Sequence, residues 1–417
     1  MSSNNKKVYP ERSRRVFVAM SGGVDSSVAA ALLKEEGYEV HGAHMLCADF
    51  DLSKKDNEIE HPRFVRRIGT GMCKQAQDDC RDAMSVAARL EIPFYTFDFR
   101  KEYRTAVYDY MVREYEAGRT PNPDVMCNKT IKFGIFLKRA LEMGFDFIAT
   151  GHYVRRDEIT RLARVLTLSS GAPTPTSNPS DFVSPQAVQF RHSLFAAKDL
   201  SKDQSYFLWT LTQDQLRHSL FPVGNLLKTE VREIAKKFRL PTAEKKDSQG
   251  LCFVGKVDFA EFIREALPKN PGPVVDASGK KIGEHDGAHF YTLGQRHGLN
   301  IGGFPEPLYI AEKRAGTNTL VVANGDRDPI LYKKELIAEN VHWISGEVPA
   351  LPLVCIARIR YRQLLQKCAL YSDGKVIFDT PQRAISSGQS VVFYASSEAS
   401  AKEGGNFCRM LGGGIIK

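Results

Sequence analysis

Short stretches of this 417-residue chain bring together residue types whose spacing can do chemistry. The first is Met20-Ser21-Gly22-Gly23-Val24-Asp25-Ser26-Ser27, set between an apolar run at 16–20 and an alanine-rich segment with helical spacing from about Ser26. A strand is expected to hand over to a helix N-terminus here. Backbone N–H groups at such an end lack intrahelical partners and sit at the positive end of the dipole, so a polyphosphate oxygen is a natural ligand. Gly22 and Gly23 let the backbone approach that ligand, and Ser21, Ser26 and Ser27 can donate hydroxyl hydrogen bonds. A carboxylate at Asp25 repels a triphosphate unless a cation such as Mg²⁺ lies between them, or unless it caps an amide. Two glycines alone would indicate only a capped helix start, but six specific residues in a strand–turn–helix context favour a nucleotide cradle. The turn holds no lysine and so departs from Gly-x-x-x-x-Gly-Lys-Ser/Thr.

The second stretch, at 118–129, reads GRTPNPDVMCNK. Pro121 and Pro123 predict a stiff, extended loop that holds Asp124 and Cys127 at a fixed separation, with a helix beginning near Thr130. A thiol beside Lys129 and close to a helix N-terminus is expected to be partly thiolate, and these polar, basic neighbours favour that over a buried structural cysteine. The third stretch, KKDSQGLCFVG at 245–255, puts Cys252 between a basic turn and a hydrophobic run. Its thiol can face core or solvent, and taken alone a buried cysteine is the commoner outcome. Taken with Cys127 it means more, because two cysteines in electropositive loops can perform persulfide formation and disulfide exchange.

The elements that must position these groups alternate between strand and helix as far as about residue 240. Strands are expected at 16–20, 38–46, 92–99 and 146–150, with helices from about 26, at 73–90, at 102–117 and at 229–238; Gly118 ends the third. This alternation implies a parallel, doubly wound sheet, whose ligands bind at the C-terminal strand ends, where Met45 and Gly151-His152-Tyr153 lie. Residues 47–72 and 157–196 read as insertions, the second rich in Ser, Thr, Pro and Gly around 169–185. From Pro271 the pattern changes to short β-rich segments separated by Gly, Asp and Asn turns, with strands at 309–311, 319–323, 354–360, 375–378 and 390–394 forming a small sheet or barrel. Arg358, Arg360 and Arg362 alternate on one of these strands, with Tyr361 opposite, and are read as an RNA-backbone face. The resulting organisation is a catalytic α/β domain at 1–258, a small central domain at 259–330 and a β-barrel-like domain at 331–417.

Composition narrows the class. The length calls for two or three domains. A net charge of +9 favours a polyanionic partner, RNA first. Lys6, Lys7, Arg12, Arg14 and Arg15 make the start a basic arm. No run of about eighteen apolar residues and no signal-peptide stretch are seen, so no membrane partner is expected. Eight cysteines without any CxxC argue for a reducing, cytoplasmic setting and against a structural metal site.

SGGVDSS resembles the phosphate loop of the N-type ATP pyrophosphatases. Together with GRTPNPDVMCNKTIKFG, IATGHY, KDQSYFL, KKDSQGLCFVG, YTLGQRHGL and the terminal LGGGII, it makes the chain similar, nearly end to end, to the tRNA-specific 2-thiouridylases. After Met45 the chain has Leu46-Cys47-Ala48 where that family usually shows Lys-Asn-Trp. The resemblance implies thiolation of the wobble uridine of tRNA at C2, by adenylation of the C2 oxygen with ATP and Mg²⁺ and sulfur transfer from a cysteine persulfide. It further implies ATP contacts from Ala19, Met20, Ser21, Gly22, Gly23, Val24, Asp25, Ser26, Met45 and Gly151, and catalytic roles for Cys127, Cys252 and Asp124. The implied tRNA contacts are Asn122, Pro123, Asp124, His152, Lys202, Asp203, Gln204, Arg360, Tyr361 and Gln389. The implied partners are the tRNAs for Lys, Glu and Gln and a persulfide donor, either a relay protein or a cysteine desulfurase, acting on a monomeric enzyme.

Overall fold

The computed structural model describes residues 14–47, 74–160, 190–246, 263, 266–299, 301–396 and 408–417. Cys252, the basic arm at 1–13 and most of both insertions lie outside these residues.

The first unit runs β1 (Arg15–Ala19), α1 (Val24–Glu35), β2 (Glu39–Leu46), α2 (Lys74–Arg89), β3 (Phe94–Asp98) and α3 (Arg100–Tyr103), which continues through a π-helical turn into α4 (Asp109–Glu116). It goes on with α5 (Pro123–Cys127), the π-helical stretch Asn128–Phe136, α6 (Leu137–Glu142), β4 (Phe147–Ala149), β5 (Val154–Thr160), β6 (Phe190–Ala196), α7 (Gln213–Arg217), β7 (Ser219–Leu220) and α8 (Lys228–Lys237). The strand order is β3-β2-β1-β4-β7, with every pairing parallel. Alternate residues of β1 explain why helices must cover both faces. Phe17 and Ala19 enter a cluster with the helical stretch 103–140, while Val16, Val18 and Met20 enter another with α1, α2 and α8. Chain order runs outward in opposite directions from β1 and β4, so the crevice beyond their C-terminal ends is the topological switch point.

The second unit is a four-stranded sheet, order β10-β11-β8-β9, built from β8 (Gly272–Val275), β9 (Lys281–His285), β10 (Leu308–Arg314) and β11 (Thr319–Asn324). The third is a closed antiparallel barrel of β12 (Tyr332–Trp343), β13 (Leu353–Arg358), β14 (Gln366–Leu370), β15 (Lys375–Arg383), β16 (Ser390–Tyr394) and β17 (Met410–Ile416). Closure by β17 against β12 leaves no open edge, and it makes the terminal LGGGII a barrel stave.

The structure corrects three expectations. Asp124 and Cys127 stand on helix, not on an extended loop. Asn122 adopts an extended conformation and its Oδ1 accepts from the Val125 N–H at 3.2 Å, and Pro123 occupies the first helical position, where its missing N–H costs nothing. The arginines do not alternate along a strand, because β13 ends at Arg358 and Arg362 turns the chain at φ 64°. The borders of the second insertion, 157–160 and 190–196, belong to the β5–β6 hairpin.

Candidate functional site

The glycine-rich turn occupies the switch point. Gly23 starts α1 in extended conformation, and no side chain caps it. Inside the turn, the Ser21 N–H donates to Ser26 Oγ at 3.2 Å, and the Ser26 and Ser27 hydroxyls donate to Gly23 O at 3.1 and 2.8 Å. Gly22 has φ +73°, and a Cβ there would lie 2.3 Å from the Asp79 carbonyl oxygen of α2. Across the crevice a Cβ on Gly151 would lie 2.6 Å from Ser26 N. The two loops therefore touch through backbone, which only glycine permits. Ala19, Met20, Val24, Ser26 and Met45 are buried beneath them.

Asp25 is met by residues that the sequence did not single out as a set. Lys228 Nζ, at the first residue of α8, lies 2.7 Å from Asp25 Oδ1, and the Tyr153 hydroxyl donates to the same oxygen at 2.8 Å. The turn thus acquires a lysine from 203 positions downstream. Gln204 holds Tyr153 in place, accepting from its N–H at 3.0 Å while the Gln204 N–H donates to Tyr153 O at 2.8 Å. Two buried histidines flank the site. His44 Nδ1 lies 2.8 Å from Met20 O; a carbonyl only accepts, so that nitrogen carries the proton. His152 Nδ1 lies 2.8 Å from Thr150 Oγ1. Burial drives the His152 pKa well below the ordinary value, and the charge of Lys132 adds to it, so the ring is neutral. Burial also lowers the pKa of His44, against the pull of its bond to Met20 and the charge of Asp79.

On α5, Asp124 and Cys127 are three residues apart and share a face. Asp124 is half-buried and Lys129 is exposed, but Cys127 is only 1% exposed, in a continuous apolar cluster with Ala19 and Met45. The expectation of an accessible thiol among polar neighbours is therefore corrected. Cys127 shares its buried side with Ile131, one turn further along the same helical stretch, while Lys129 points out. Asn128 Nδ2 donates to Phe207 O at 3.3 Å, tying the end of α5 to the 202–208 segment.

The residues considered for tRNA divide between the catalytic unit and the barrel. Asp203 is 3% exposed and pairs with Arg358, itself 5% exposed. Its Oδ1 also accepts from the Ala197 and Ser205 N–H groups, so this pair docks the barrel on the catalytic unit. Lys202 is half-buried beside it. Arg360 Nη2 donates to the Leu293 and Ala384 carbonyls at 2.8 and 2.7 Å, and Tyr361 packs on Phe207 with ring centroids 4.6 Å apart. Gln389 Nε2 donates to the carbonyls of Thr120 and Pro121, directly before Asn122 and Pro123. Lys228 stands outside every motif read from the sequence, whereas Tyr206 and Lys245 stand inside KDQSYFL and KKDSQGLCFVG without a role; the Lys245 amine lies 2.7 Å from Asp79 Oδ1 and 2.5 Å from Asp82 Oδ2. Among the described residues no group of three or more His, Cys, Asp or Glu side chains forms a metal cage, and no helix is long and apolar enough to cross a membrane. A lone carboxylate such as Asp25, beside a phosphate cradle, suits an ion held mainly by phosphates and water.

Three family profiles match consecutive parts of the chain: "tRNA methyl transferase HUP domain" over 14–256, "tRNA methyl transferase PRC-barrel domain" over 260–324 and "Aminomethyltransferase beta-barrel domain" over 333–416. Among curated relatives, a Legionella pneumophila protein is 42% identical over 392 residues, covering 92% of this chain and 96% of its own. A Marinomonas protein is 41% identical over 411 residues, covering 97% and 91%, and one from Halalkalibacterium halodurans is 43% identical over 411 residues, covering 98% and 95%. All three are named tRNA-specific 2-thiouridylase MnmA.

Proposed function

The chain belongs to the tRNA-specific 2-thiouridylase family, and from that membership we propose that it thiolates the wobble uridine of tRNA at C2 at the expense of ATP. The observation that carries this reading is the glycine-built turn at the switch point, which follows directly on Ala19, a member of the apolar cluster that also holds Met45 and Cys127. A C2 oxygen is a poor leaving group, so replacing it requires activation followed by a sulfur nucleophile. The oxygen attacks the α-phosphorus, the α–β bond breaks and pyrophosphate leaves. The Ser21–Ser27 backbone and hydroxyls hold the phosphates, Lys228 and Tyr153 orient Asp25, and Asp25 is the side chain that would hold Mg²⁺, which supplies charge neutralisation when bound.

For sulfur delivery, Cys252 accepts a persulfide from the donor, and its terminal sulfur attacks C2 as AMP departs with the oxygen. Cys127 then attacks the Cys252 sulfur of the linkage, leaving sulfur on C2 and closing a Cys127–Cys252 disulfide, which an external dithiol reduces. Asp124, on the same helical face as Cys127, serves as the acid or base at the uridine. Substrate tRNAs for Lys, Glu and Gln bind across Asn122–Asp124, His152, Lys202, Gln204, Arg360 and Tyr361, with phosphates supplying the affinity. Product analysis tests the reading. With substrate tRNA the nucleotide products are AMP and pyrophosphate, and Asp25→Ala abolishes both; ADP and free phosphate would refute it.

A further inference from the structure

The helix that carries Asp124 and Cys127 is held in place from the far end of the chain. Thr120, Pro121 and Asn122 lead directly into it, and each bonds to the barrel or to a residue seated on the barrel. The Thr120 N–H donates to Ser387 O at 2.8 Å. The Gln389 side-chain amide donates to Thr120 O at 2.9 Å and to Pro121 O at 3.0 Å, so both backbone polar groups of Thr120 and the only one of Pro121 are engaged by one barrel turn. The Asn122 side chain bonds to the Tyr206 hydroxyl, which lies 2.9 Å from Ser390 O. Between these contacts Gly388, at φ +88°, presses on Thr120 so closely that a Cβ would lie 3.0 Å from its N, C and O atoms. The turn is pinned in its own barrel, with the Gly388 N–H on Ile416 O and the Ile416 N–H on Gln389 O, both at 2.8 Å.

We propose that the 386–389 turn is a clamp that positions the Asp124/Cys127 helix, with Gln389 as its positioning residue. This rests on the thiolation reading above, which gives that helix its chemistry. Asn122 is both the last clamped residue and the cap of the helix, so any slip of the clamp displaces the start of the helix. Displacements of about 1 Å at reacting groups cost about 10²-fold in rate. The barrel therefore does more than hold RNA. It sets the register of the thiol and carboxylate against the switch-point crevice.

Gln389→Glu keeps the side-chain size but removes both donors and faces two carbonyl oxygens with a carboxylate. With saturating tRNA and Mg·ATP, single-turnover thiolation by this variant should fall at least tenfold, a loss that saturation keeps separate from any change in tRNA affinity. Without tRNA, iodoacetamide labelling of Cys127, followed by peptide mass spectrometry, should quicken at least fivefold as the helix loosens. A tenfold weaker tRNA complex, with wild-type saturated rate and wild-type Cys127 labelling, would overturn the clamp in favour of a tRNA contact. A second measurement needs no variant: in the wild-type protein the Thr120 amide should be protected from hydrogen exchange as well as the Ile416 amide, and a rapidly exchanging Thr120 amide would overturn the proposal. Labelling and exchange do not depend on turnover, so a wild-type protein that forms no 2-thiouridine defeats the functional reading without touching these two results.

Discussion

Replacing Arg358 with methionine tests how the barrel is docked. Arg358 and Asp203 are nearly inaccessible, and the guanidinium also donates to the Tyr394 hydroxyl, from Nε at 3.0 Å and from Nη2 at 2.6 Å, and to Ser205 Oγ at 2.8 Å. Methionine fills much of the volume but leaves the Asp203 carboxylate buried with neutral donors only, from Ala197 and Ser205. Breaking one side of a buried pair in this way costs about 3–5 kcal/mol. At about 2 °C per kcal/mol for a large chain, the first thermal transition should drop by roughly 6–10 °C. The double variant Arg358→Met with Asp203→Asn, which also removes the stranded charge, should recover about 1–3 kcal/mol of that loss, because the two residues share one network. Differential scanning calorimetry, with tRNA binding measured in parallel, is the assay. A shift below about 2 °C in Arg358→Met, accompanied by weaker tRNA binding, would refute the reasoning and return both residues to the RNA face.

Gly151→Ala should weaken Mg·ATP binding at least tenfold by calorimetric titration, because the new methyl meets Ser26 N and Asp25 C at 2.6 and 2.7 Å; unchanged affinity would place the nucleotide elsewhere. Lys228→Met removes the cation from Asp25 and should weaken Mg·ATP by about tenfold to 150-fold, the range of a charged hydrogen bond, with little change in tRNA affinity. Acid should destabilise the fold before its carboxylates titrate. His44, His152, His285 and His289 all have pKa values lowered chiefly by burial. The unfolded chain therefore binds more protons below its histidine pKa of about 6.5, so their stabilisation is complete above that value and is lost as pH falls below it, at up to about 1.4 kcal/mol per pH unit per group. Melting temperatures that stay level between pH 7 and pH 5 would contradict this.

Much of the catalytic unit was legible because its signals are local. Val16, Phe17 and Val18 form a buried strand, Gly22 and Gly23 mark the turn, and the alanines of α1 mark the helix. The PNPD segment was misread because two prolines usually exclude helix, whereas one of them sits at the first helical position behind a capping asparagine. Lys228 on Asp25, Gln389 on Thr120 and Arg358 on Asp203 join residues 203, 269 and 155 positions apart, and no local pattern encodes such pairs. Strands such as β12 and β17 were missed because one carries exposed lysines and the other a run of glycines, compositions that read as loop.

The central claim is most directly tested by mercury-affinity gel electrophoresis of tRNA after incubation with the protein, Mg·ATP and a persulfide donor. The account predicts a retarded, thiolated band that requires ATP, appears with wild type, and is absent with Cys127→Ser although that variant still loads a persulfide on Cys252. A wild-type reaction without a retarded band, or a Cys127→Ser protein that thiolates at the wild-type rate, would contradict it.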